Sequence, residues 1–147
     1  TSIPRGNTCE TFSIEMKNVP WNIPGVTFCS EEGVLELDIV RTEYELILNG
    51  FLDADFSVEC ARCLAPVVFP ITAEIKRMFS WNPDMLSDLE VEPVSHNDGT
   101  LCILDPVREA IILSLPAMPL CNENCRGLCP TCGIDRNLEE CEHGFEA

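Results

Sequence analysis

The sequence predicts an α+β fold with an antiparallel β-meander sheet, one main helix packed on it and a C-terminal zinc-knuckle segment. Three observations lead to this prediction. Apolar and polar residues alternate with period two between residues 33 and 79, which is typical of strands with one buried face. One later stretch has helical spacing. The last part, residues 117–147, is rich in cysteine and too polar to build an apolar core.

Length and composition favour one domain. The chain has 147 residues, of which 46% are hydrophobic, as in an ordinary globular protein. We expect a single domain, 1–147, in which residues 1–32 form an N-terminal strand and a connection, residues 33–116 the meander and helix, and residues 117–147 the cysteine-rich tail. No apolar run approaches the roughly 18 residues needed to span a bilayer, so we expect a soluble protein.

The first strands are expected before residue 50. The prolines and glycine of residues 20–25 connect a weak N-terminal strand to the meander. Apolar alternation then runs from residue 33 to residue 48 and stops at Asn49 and Gly50, the dipeptide favoured in two-residue hairpin turns. We therefore predict a hairpin turn at Asn49 and Gly50. The apolar residues of the weak N-terminal strand are Phe12, Ile14 and Met16.

The clearest pair of strands flanks the motif CARCLAP. Residues 52–60 place apolar side chains on one face and mainly acidic ones on the other, and residues 67–75 form the partner strand. Since Cys60 and Cys63 lie between the two strands, we predict them at the tip of a hairpin that Pro66 helps to close. Both sulfurs can then point away from the sheet.

An acidic loop and one helix follow. Residues 82–99 contain two prolines and show no sustained period, which predicts a loop with His96 on the surface. Asp105 followed by Pro106 predicts a helix start with Asp105 as the N-cap. Apolar residues recur at helical spacing for about ten residues until Pro116 ends the helix.

The charge restricts the class of partner. The chain has 25 acidic and 9 basic residues, which gives a formal net charge of −16. The basic residues are scattered singly, with no stripe that could follow a phosphate backbone, so we expect no direct sequence-specific binding of nucleic acid. An acidic surface suits a basic protein partner. The alternative is that the acidity only provides solubility.

The ten cysteines favour metal over disulfides. An even count is compatible with a disulfide scaffold of a secreted protein. Most of the cysteines, however, have the short separations of metal knuckles, which favours zinc and a reducing compartment. Cys9, Cys29 and Cys102 stand alone, and we interpret them as small buried hydrophobic residues.

Eight residues are candidate zinc ligands, and they allow one or two structural ions. In the compact assignment two tetrahedral sites form, one within the tail and one that joins the tail to the hairpin tip. The alternative is a single zinc shared by the CARC and CPTC pairs, with the other cysteines free and the histidine solvated. The residues of the first site are Cys129, Cys132, Cys141 and His143, and those of the second are Cys60, Cys63, Cys121 and Cys125.

The motifs of common enzymes are missing, so we expect no catalytic residues and no small-molecule substrate. Catalytic zinc sites usually draw on several histidines, and the chain has two. It has no glycine-rich phosphate loop, nucleophile elbow or HExxH pair. Dithiol oxidoreductases place their first cysteine at a helix N-terminus, whereas Cys60 ends a predicted strand. A thiol redox or metal-handling protein remains the second hypothesis, and an accessory subunit of another complex the third.

The order of these motifs is specific. A strand leads into CARCL, the helix reads DPVREAIILSLPAMPLC, and the tail reads CNENCRGLCPTCGIDRNLEEC. This order, over roughly residues 33–147, resembles the YceD family of large ribosomal RNA subunit accumulation proteins of bacteria and plastids. The family tail commonly ends in Cys-x-Cys, where this chain has Cys141, Glu142 and His143, and an imidazole can replace a thiolate at zinc. Asp135 and Arg136 also differ from the family's usual residues.

The resemblance implies a non-enzymatic assembly factor in large ribosomal subunit biogenesis, located in the bacterial cytoplasm or the plastid stroma. The partner it implies is a basic ribosomal protein or the pre-ribosomal large subunit, and no membrane is involved. We assign the expected partner surface to Asp53, Asp55 and Glu59 on one strand and to the acidic loop from Asp84 to Glu92.

Overall fold

Six strands and one α-helix make up most of the regular structure in the computed structural model, which describes residues 3–87, 91–94 and 101–143. Two short 3₁₀ helices, Met16–Asn18 and Pro83–Ser87, complete it. The helix is α1 (Leu104–Ser114), and the strands are β1 (Gly6–Glu15), β2 (Val26–Phe28), β3 (Glu32–Arg41), β4 (Glu45–Glu59), β5 (Pro66–Ser80) and β6 (Val91–Pro93).

The strands form one mixed sheet in the order β1-β3-β4-β5-β6, and β2 also pairs with β4. Strand β4 has 15 residues and pairs with β5 along its whole length. On its other edge β3 pairs with the first part and β2 with the last part. The antiparallel meander is confirmed for β3, β4 and β5. The expectation of a purely antiparallel sheet is wrong, because β6 pairs parallel with β5.

The predicted hairpin turn at Asn49 and Gly50 is wrong, since both residues lie inside β4. Gly50 pairs with Leu37 of β3 and with Ile75 of β5. A Cβ atom at residue 50 would lie 2.0 Å from the carbonyl oxygen of Glu36. The glycine is therefore needed for the close approach of β3 and β4, not for a positive φ angle.

The turn that joins β3 to β4 lies earlier, at residues 42–44. The backbone N–H of Thr42 donates to the carbonyl of Glu45 at 2.9 Å, and the backbone N–H of Glu45 donates to the Thr42 hydroxyl at 3.0 Å. A threonine side chain that satisfies a nearby backbone donor is a common turn device. Thr42 thus closes the hairpin from which β4 starts.

The N-terminal strand is confirmed as β1, in which Phe12 and Ile14 pack against the core. Met16 was expected in this strand, but it starts the 3₁₀ helix Met16–Asn18 and is fully buried. Its carbonyl accepts a hydrogen bond of 2.9 Å from Nε1 of Trp21. The bend after β1 therefore places two large side chains under the sheet.

Helix α1 covers one face of the sheet. Val107 and Ile111 are buried in the same apolar cluster as Leu48 and Ile75 of the sheet. The helix ends at Ser114, before Pro116, as the proline pattern predicts. Among the described residues no helix is long and apolar enough to cross a membrane.

Two predictions near the helix need correction. Asp105 is not the N-cap, because the helix begins at Leu104 and Ile103 precedes it without a side-chain cap. Asp105 instead forms an ion pair with Arg108 at 3.0 Å. The segment 82–99 was expected to be a loop, but it contains Pro83–Ser87 and β6. His96 lies outside the described residues.

The face of the sheet opposite α1, called here the outer face, is open and acidic. Because side chains alternate along a strand, every second residue of β3, β4 and β5 points to it. Phe51 and Val68 are exposed on it, and Lys76 is a basic residue there. The exposed acidic residues of this face are Glu32, Glu36, Asp38, Asp53, Asp55, Glu59 and Glu74.

Candidate metal centres

Four cysteines meet where the hairpin tip touches the tail, and we call this group centre A. Every ligand atom of centre A lies within 4.8 Å of the others. The Sγ atoms of Cys60 and Cys125 are 3.8 Å apart, and those of Cys63 and Cys121 are 3.7 Å apart. Cys121 is exposed and the other three are buried. The group thus lies at the surface with one side open.

The hairpin tip positions its two cysteines through backbone hydrogen bonds. The N–H of Cys60 donates to the carbonyl of Ala65 at 2.8 Å, and the N–H of Leu64 donates to the carbonyl of Cys60 at 3.0 Å. Leu64 has a φ of 61°, a left-handed conformation that closes the turn. As the sequence predicts, CARC forms a knuckle between β4 and β5.

Two thiols of centre A have pKa values that are shifted in opposite directions. The backbone N–H groups of Cys63 and Arg62 lower the pKa of Cys60 to about 6. Hydrogen bonding with Cys125 raises the pKa of Cys121 to about 12. Without metal, one thiolate is therefore stable at neutral pH and a neighbouring thiol keeps its proton. Metal binding at such a group must release protons.

A second group lies within the tail, and we call it centre B. Its four ligand atoms also lie within 4.8 Å of one another. The N–H of Gly133 donates to the carbonyl of Cys129 at 2.8 Å, and Gly133 has a φ of 76°, which an L side chain rarely adopts. The N–H groups of Cys132 and Thr131 lower the pKa of Cys129 to about 6. The residues of centre B are Cys129, Cys132, Cys141 and His143.

The two donor sets fit zinc. Four thiolates, or three thiolates and one imidazole, are the ligand sets of structural zinc sites. A tetrahedral zinc with bonds of about 2.3 Å to sulfur separates its ligand sulfurs by about 3.8 Å. The two sulfur pairs of centre A are 3.8 and 3.7 Å apart, so the spacing within each pair matches that of a tetrahedral ion.

Residues 127 and 128, which lie between the two centres in the sequence, connect them through backbone hydrogen bonds. The N–H of Leu128 donates to the carbonyl of Arg62 at 3.0 Å, and the N–H of Arg136 donates to the carbonyl of Gly127 at 3.0 Å. Gly127 has a φ of 71°, and a Cβ atom there would lie 3.0 Å from the carbonyl oxygen of Arg62. A glycine at residue 127 therefore lets the tail approach the hairpin tip closely.

Side chains of the tail also donate to the sulfurs. Nδ2 of Asn137 lies 3.4 Å from Sγ of Cys125, and Nη2 of Arg136 lies 3.8 Å from Sγ of Cys129. No functional role is expected from the sequence for these two residues or for Arg62. Asn137 belongs to the tail pattern that carries the resemblance to the family, and its place in a run with Asp135, where short polar side chains cap turns, is a second signal in the sequence.

The eight candidate ligands fall into the compact arrangement. Cys60 and Cys63 lie with the two cysteines that start the tail and not with Cys129 and Cys132, as the single-ion alternative requires. His143 is exposed, and its ring nitrogen belongs to centre B. Which ions these groups bind, and through which of the eight residues, remains a prediction.

The three solitary cysteines are exposed, so the prediction that they are buried is wrong. Cys9 lies on the outer face of β1, which is an edge strand. A hydrogen bond with Asp38 and the charge of that carboxylate raise the pKa of the Cys9 thiol. Cys29 follows β2, and Cys102 precedes α1. All ten cysteines are free thiols in the structure.

Comparison with known proteins identifies the family. Residues 48–147 match the family described as large ribosomal RNA subunit accumulation protein YceD. Uncharacterized proteins of Mycobacterium bovis and Mycobacterium tuberculosis are 32% identical over 103 residues, which are 68% of this chain and 49% of theirs. An uncharacterized protein of Mycobacterium leprae is 28% identical over 107 residues, 71% of this chain and 49% of its own.

The chain thus spans about half the length of the curated relatives it matches. No solved structure matches it. The match over residues 48–147 includes both CxxC pairs, the helix and the tail, which are the motifs on which the resemblance was based. The chain belongs to the YceD family of large ribosomal RNA subunit accumulation proteins.

Proposed function

We propose that this chain is a non-enzymatic, zinc-binding factor of large ribosomal subunit biogenesis that acts by docking on a basic protein of the pre-ribosomal large subunit. Family membership supports the process. The observation that carries the molecular role is the pair of four-ligand groups, each compact enough for one tetrahedral ion. The proposal places the chain in a reducing compartment, the bacterial cytoplasm or the plastid stroma, where thiols stay available for metal.

In this proposal the ions are structural. An ion at centre A is held by the hairpin tip and the tail, so it fixes residues 120–143 against the end of the sheet. Structural zinc contributes folding energy directly in small metal-binding segments. The residues of the chain, not the ion, then contact the partner.

The outer face is the proposed docking surface. Asp53, Asp55 and Glu59 are exposed along one strand, and exposed Phe51 lies on the same face. Opposite charge steers a basic partner toward such a face, and an exposed aromatic side chain supplies apolar contact area once the partner is bound. The second part of the expected surface, Asp84 to Glu92, includes residues outside the described part of the chain.

The test is co-sedimentation with pre-ribosomal large subunits, together with the level of large-subunit ribosomal RNA in cells that carry the variant as their sole copy. We expect replacement of the three strand acids by Asn, Asn and Gln to release the protein from the particles and to lower the RNA level. The matched control, Glu43→Gln with Glu123→Gln and Glu139→Gln, changes the net charge equally at exposed sites elsewhere. Unchanged sedimentation of the strand variant would exclude this surface.

Thiol redox activity is the second candidate, and one observation favours it. The first cysteine of each CxxC pair has a pKa lowered to about 6, as in dithiol oxidoreductases. The same lowered pKa also favours the thiolate, which is the form that binds metal. The two functions are separated by counting reactive thiols before and after chelation. Protection of both pairs until chelation supports the metal-binding role, whereas reactive Cys60 and Cys63 in the untreated protein support redox exchange.

A further inference from the structure

Asn137 links the two metal centres through a single side chain. Its backbone lies between Cys132 and Cys141, in the loop that closes around centre B. Its Nδ2 atom lies 3.4 Å from Sγ of Cys125, a ligand atom of centre A. A residue that belongs to one centre by sequence thus contacts a ligand of the other.

The neighbours of Asn137 fix the orientation of its amide. Oδ1 accepts a hydrogen bond of 2.8 Å from the backbone N–H of Arg126. Nδ2 lies 2.6 Å from Oδ1 of Asp135, which can only accept when ionised. An inverted amide would place two acceptors together at one end and two donors at the other. Nδ2 is therefore the atom that faces Cys125 and donates to its sulfur.

A donor at a ligand sulfur strengthens the metal site. A hydrogen bond to the charged form stabilises the thiolate, which is the form that binds metal. Loss of such an outer contact typically lowers metal affinity about 10- to 100-fold. The donor from Asn137 to Cys125 is therefore expected to raise the affinity of centre A.

The position of Asn137 in turn depends on centre B. Its backbone N–H donates to Oδ1 of Asp135 at 2.9 Å, so the side chain that orients the amide lies in the same loop. The loop runs from Cys132 to Cys141, and its two ends meet at the ligand group of centre B. An ion at centre B joins these ends and so restricts the loop that carries Asn137.

We propose that the two centres bind metal cooperatively and that Asn137 is the positioning residue that couples them. This inference rests on the proposed function, in which both groups hold zinc. An ion at centre B fixes the loop, the loop presents Nδ2 to Cys125, and centre A gains affinity. By linkage, an ion at centre A must strengthen centre B by the same factor.

The test is a double-mutant cycle read by cadmium NMR and by competition with a chelator. Cadmium NMR separates a four-sulfur site from a three-sulfur, one-nitrogen site, so each centre is titrated by itself. Cys141→Ser disables centre B without touching a ligand of centre A. We expect it to lower the cadmium affinity of centre A about tenfold in the parent protein, but less than about threefold when Asn137→Ala is already present.

Asn122→Ala is the matched control. Nδ2 of Asn122 also lies near a sulfur of centre A, 3.5 Å from Sγ of Cys121, but Asn122 is outside the loop of centre B. Its replacement should lower the affinity of centre A and leave the tenfold effect of Cys141→Ser intact. Asn137→Asp keeps the acceptor for Arg126 and removes the donor, so it tests the contact if the alanine variant does not fold.

Three results would overturn the inference. Cys141→Ser could leave the affinity of centre A unchanged, which means that the centres are independent. Its effect could persist in full with Asn137→Ala, which means that another contact couples them. The parent protein could bind no metal at either centre, in which case the proposed metal-binding function fails as well. The first two results leave that function standing.

Discussion

The backbone N–H of Ala61 donates to the carbonyl oxygen of Pro119 at 2.7 Å, and this contact joins the hairpin tip to the segment that follows the helix. It brings the CARC knuckle beside the first cysteines of the tail. Cys63 and Cys121, which are 58 positions apart in the sequence, thereby become neighbours. Centre A is thus a long-range contact of the fold, whereas centre B is local.

The difference in range predicts a difference in stability. Loss of the ion at centre A releases a loop of 58 residues, whereas Cys132 and Cys141 of centre B are 9 positions apart. The entropy of loop closure then makes centre A worth about 1.5 kcal/mol more than centre B. We expect Cys63→Ser to lower the free energy of unfolding by that much more than Cys132→Ser, measured by denaturant unfolding with zinc present. Equal losses of stability in the two variants would contradict the inference that centre A stabilises the fold by closing the longer loop.

The lowered pKa values predict how the metal-free protein responds to pH. Cys60 and Cys129 have pKa values of about 6 in the folded chain and ordinary values near 9 when unfolded. A depressed pKa adds stability above the unfolded value, and this contribution is lost as the pH falls from 9 toward 6. Thermal unfolding of the chelated protein should therefore shift to lower temperature over this range.

Cys121 has the opposite effect, because its pKa is raised to about 12. Its contribution is present below the unfolded value and is lost as the pH rises from 9 toward 12. The stability of the chelated protein should therefore pass through a maximum. Thiolate absorbance in the ultraviolet shows whether cysteines titrate over each range. Cys121→Ala should reduce the loss of stability above pH 9 and leave the loss below it unchanged, while the raised pKa values of Cys63 and Cys132 maintain part of the alkaline loss. If the stability of the chelated protein does not fall as the pH decreases from 9 toward 6, the lowered pKa values of Cys60 and Cys129 are contradicted.

We predict that substitution of Gly50 strongly destabilises the fold, although this residue touches no functional group. Gly50→Ala places a Cβ atom 2.0 Å from the carbonyl oxygen of Glu36, so β3 and β4 must separate locally. We expect a loss of about 2–4 kcal/mol in the free energy of unfolding. Asn49→Ala is the control, since Asn49 is exposed on the outer face and should change stability by less than about 0.5 kcal/mol. A large cost at Asn49 would instead indicate a turn.

Substitution of Phe51 distinguishes an effect on partner docking from an effect on folding. Its side chain is 47% exposed at the centre of the outer face, so Phe51→Ser should barely change the unfolding temperature. If a partner covers this face, the same variant should weaken co-sedimentation with pre-ribosomal large subunits about tenfold. Leu138→Ser is a suitable control, because Leu138 is 82% exposed on the tail, away from the sheet. Equal effects of the two variants would argue against the outer face.

The sequence contained a signal against the hairpin turn at Asn49 and Gly50. In a two-residue hairpin the flanking residues pair and point to the same face, so Leu48 and Phe51 would both face the core. The apolar residues continue instead at Leu52, in step with Leu48. Unbroken alternation indicates one long strand, and this pattern is more informative than the dipeptide. The close approach that requires Gly50 becomes visible only when β3 is in place.

Three other features could not be predicted from the sequence, and each has a physical reason. The parallel pairing of β6 depends on where the chain returns after Pro83–Ser87, and three residues carry too little pattern to show it. The exposure of Cys9 depends on which face of an edge strand it occupies. The role of Asn137 depends on a contact with Cys125 across the fold. The cysteine spacing, by contrast, predicts local knuckles directly, because CxxC chemistry depends on neighbours along the chain.

The single domain expected from length remains a prediction, since the chain spans about half the length of the relatives it matches. The residues that the structure describes connect the sheet, the helix and the tail through a common core and through centre A.

The contact between Ala61 and Pro119 also has a consequence for the order of events during translation. A ribosome releases Cys60 and Cys63 long before the tail, so the hairpin and its sheet have time to form while half of centre A is still unmade. Cys121 and Cys125, the other half of centre A, emerge only after β1–β5 and helix α1. If centre A holds an ion, as proposed, that ion can be bound by all four sulfurs only after the strands that pair around β4 have been synthesised, so it would join the tail to a sheet that is already present.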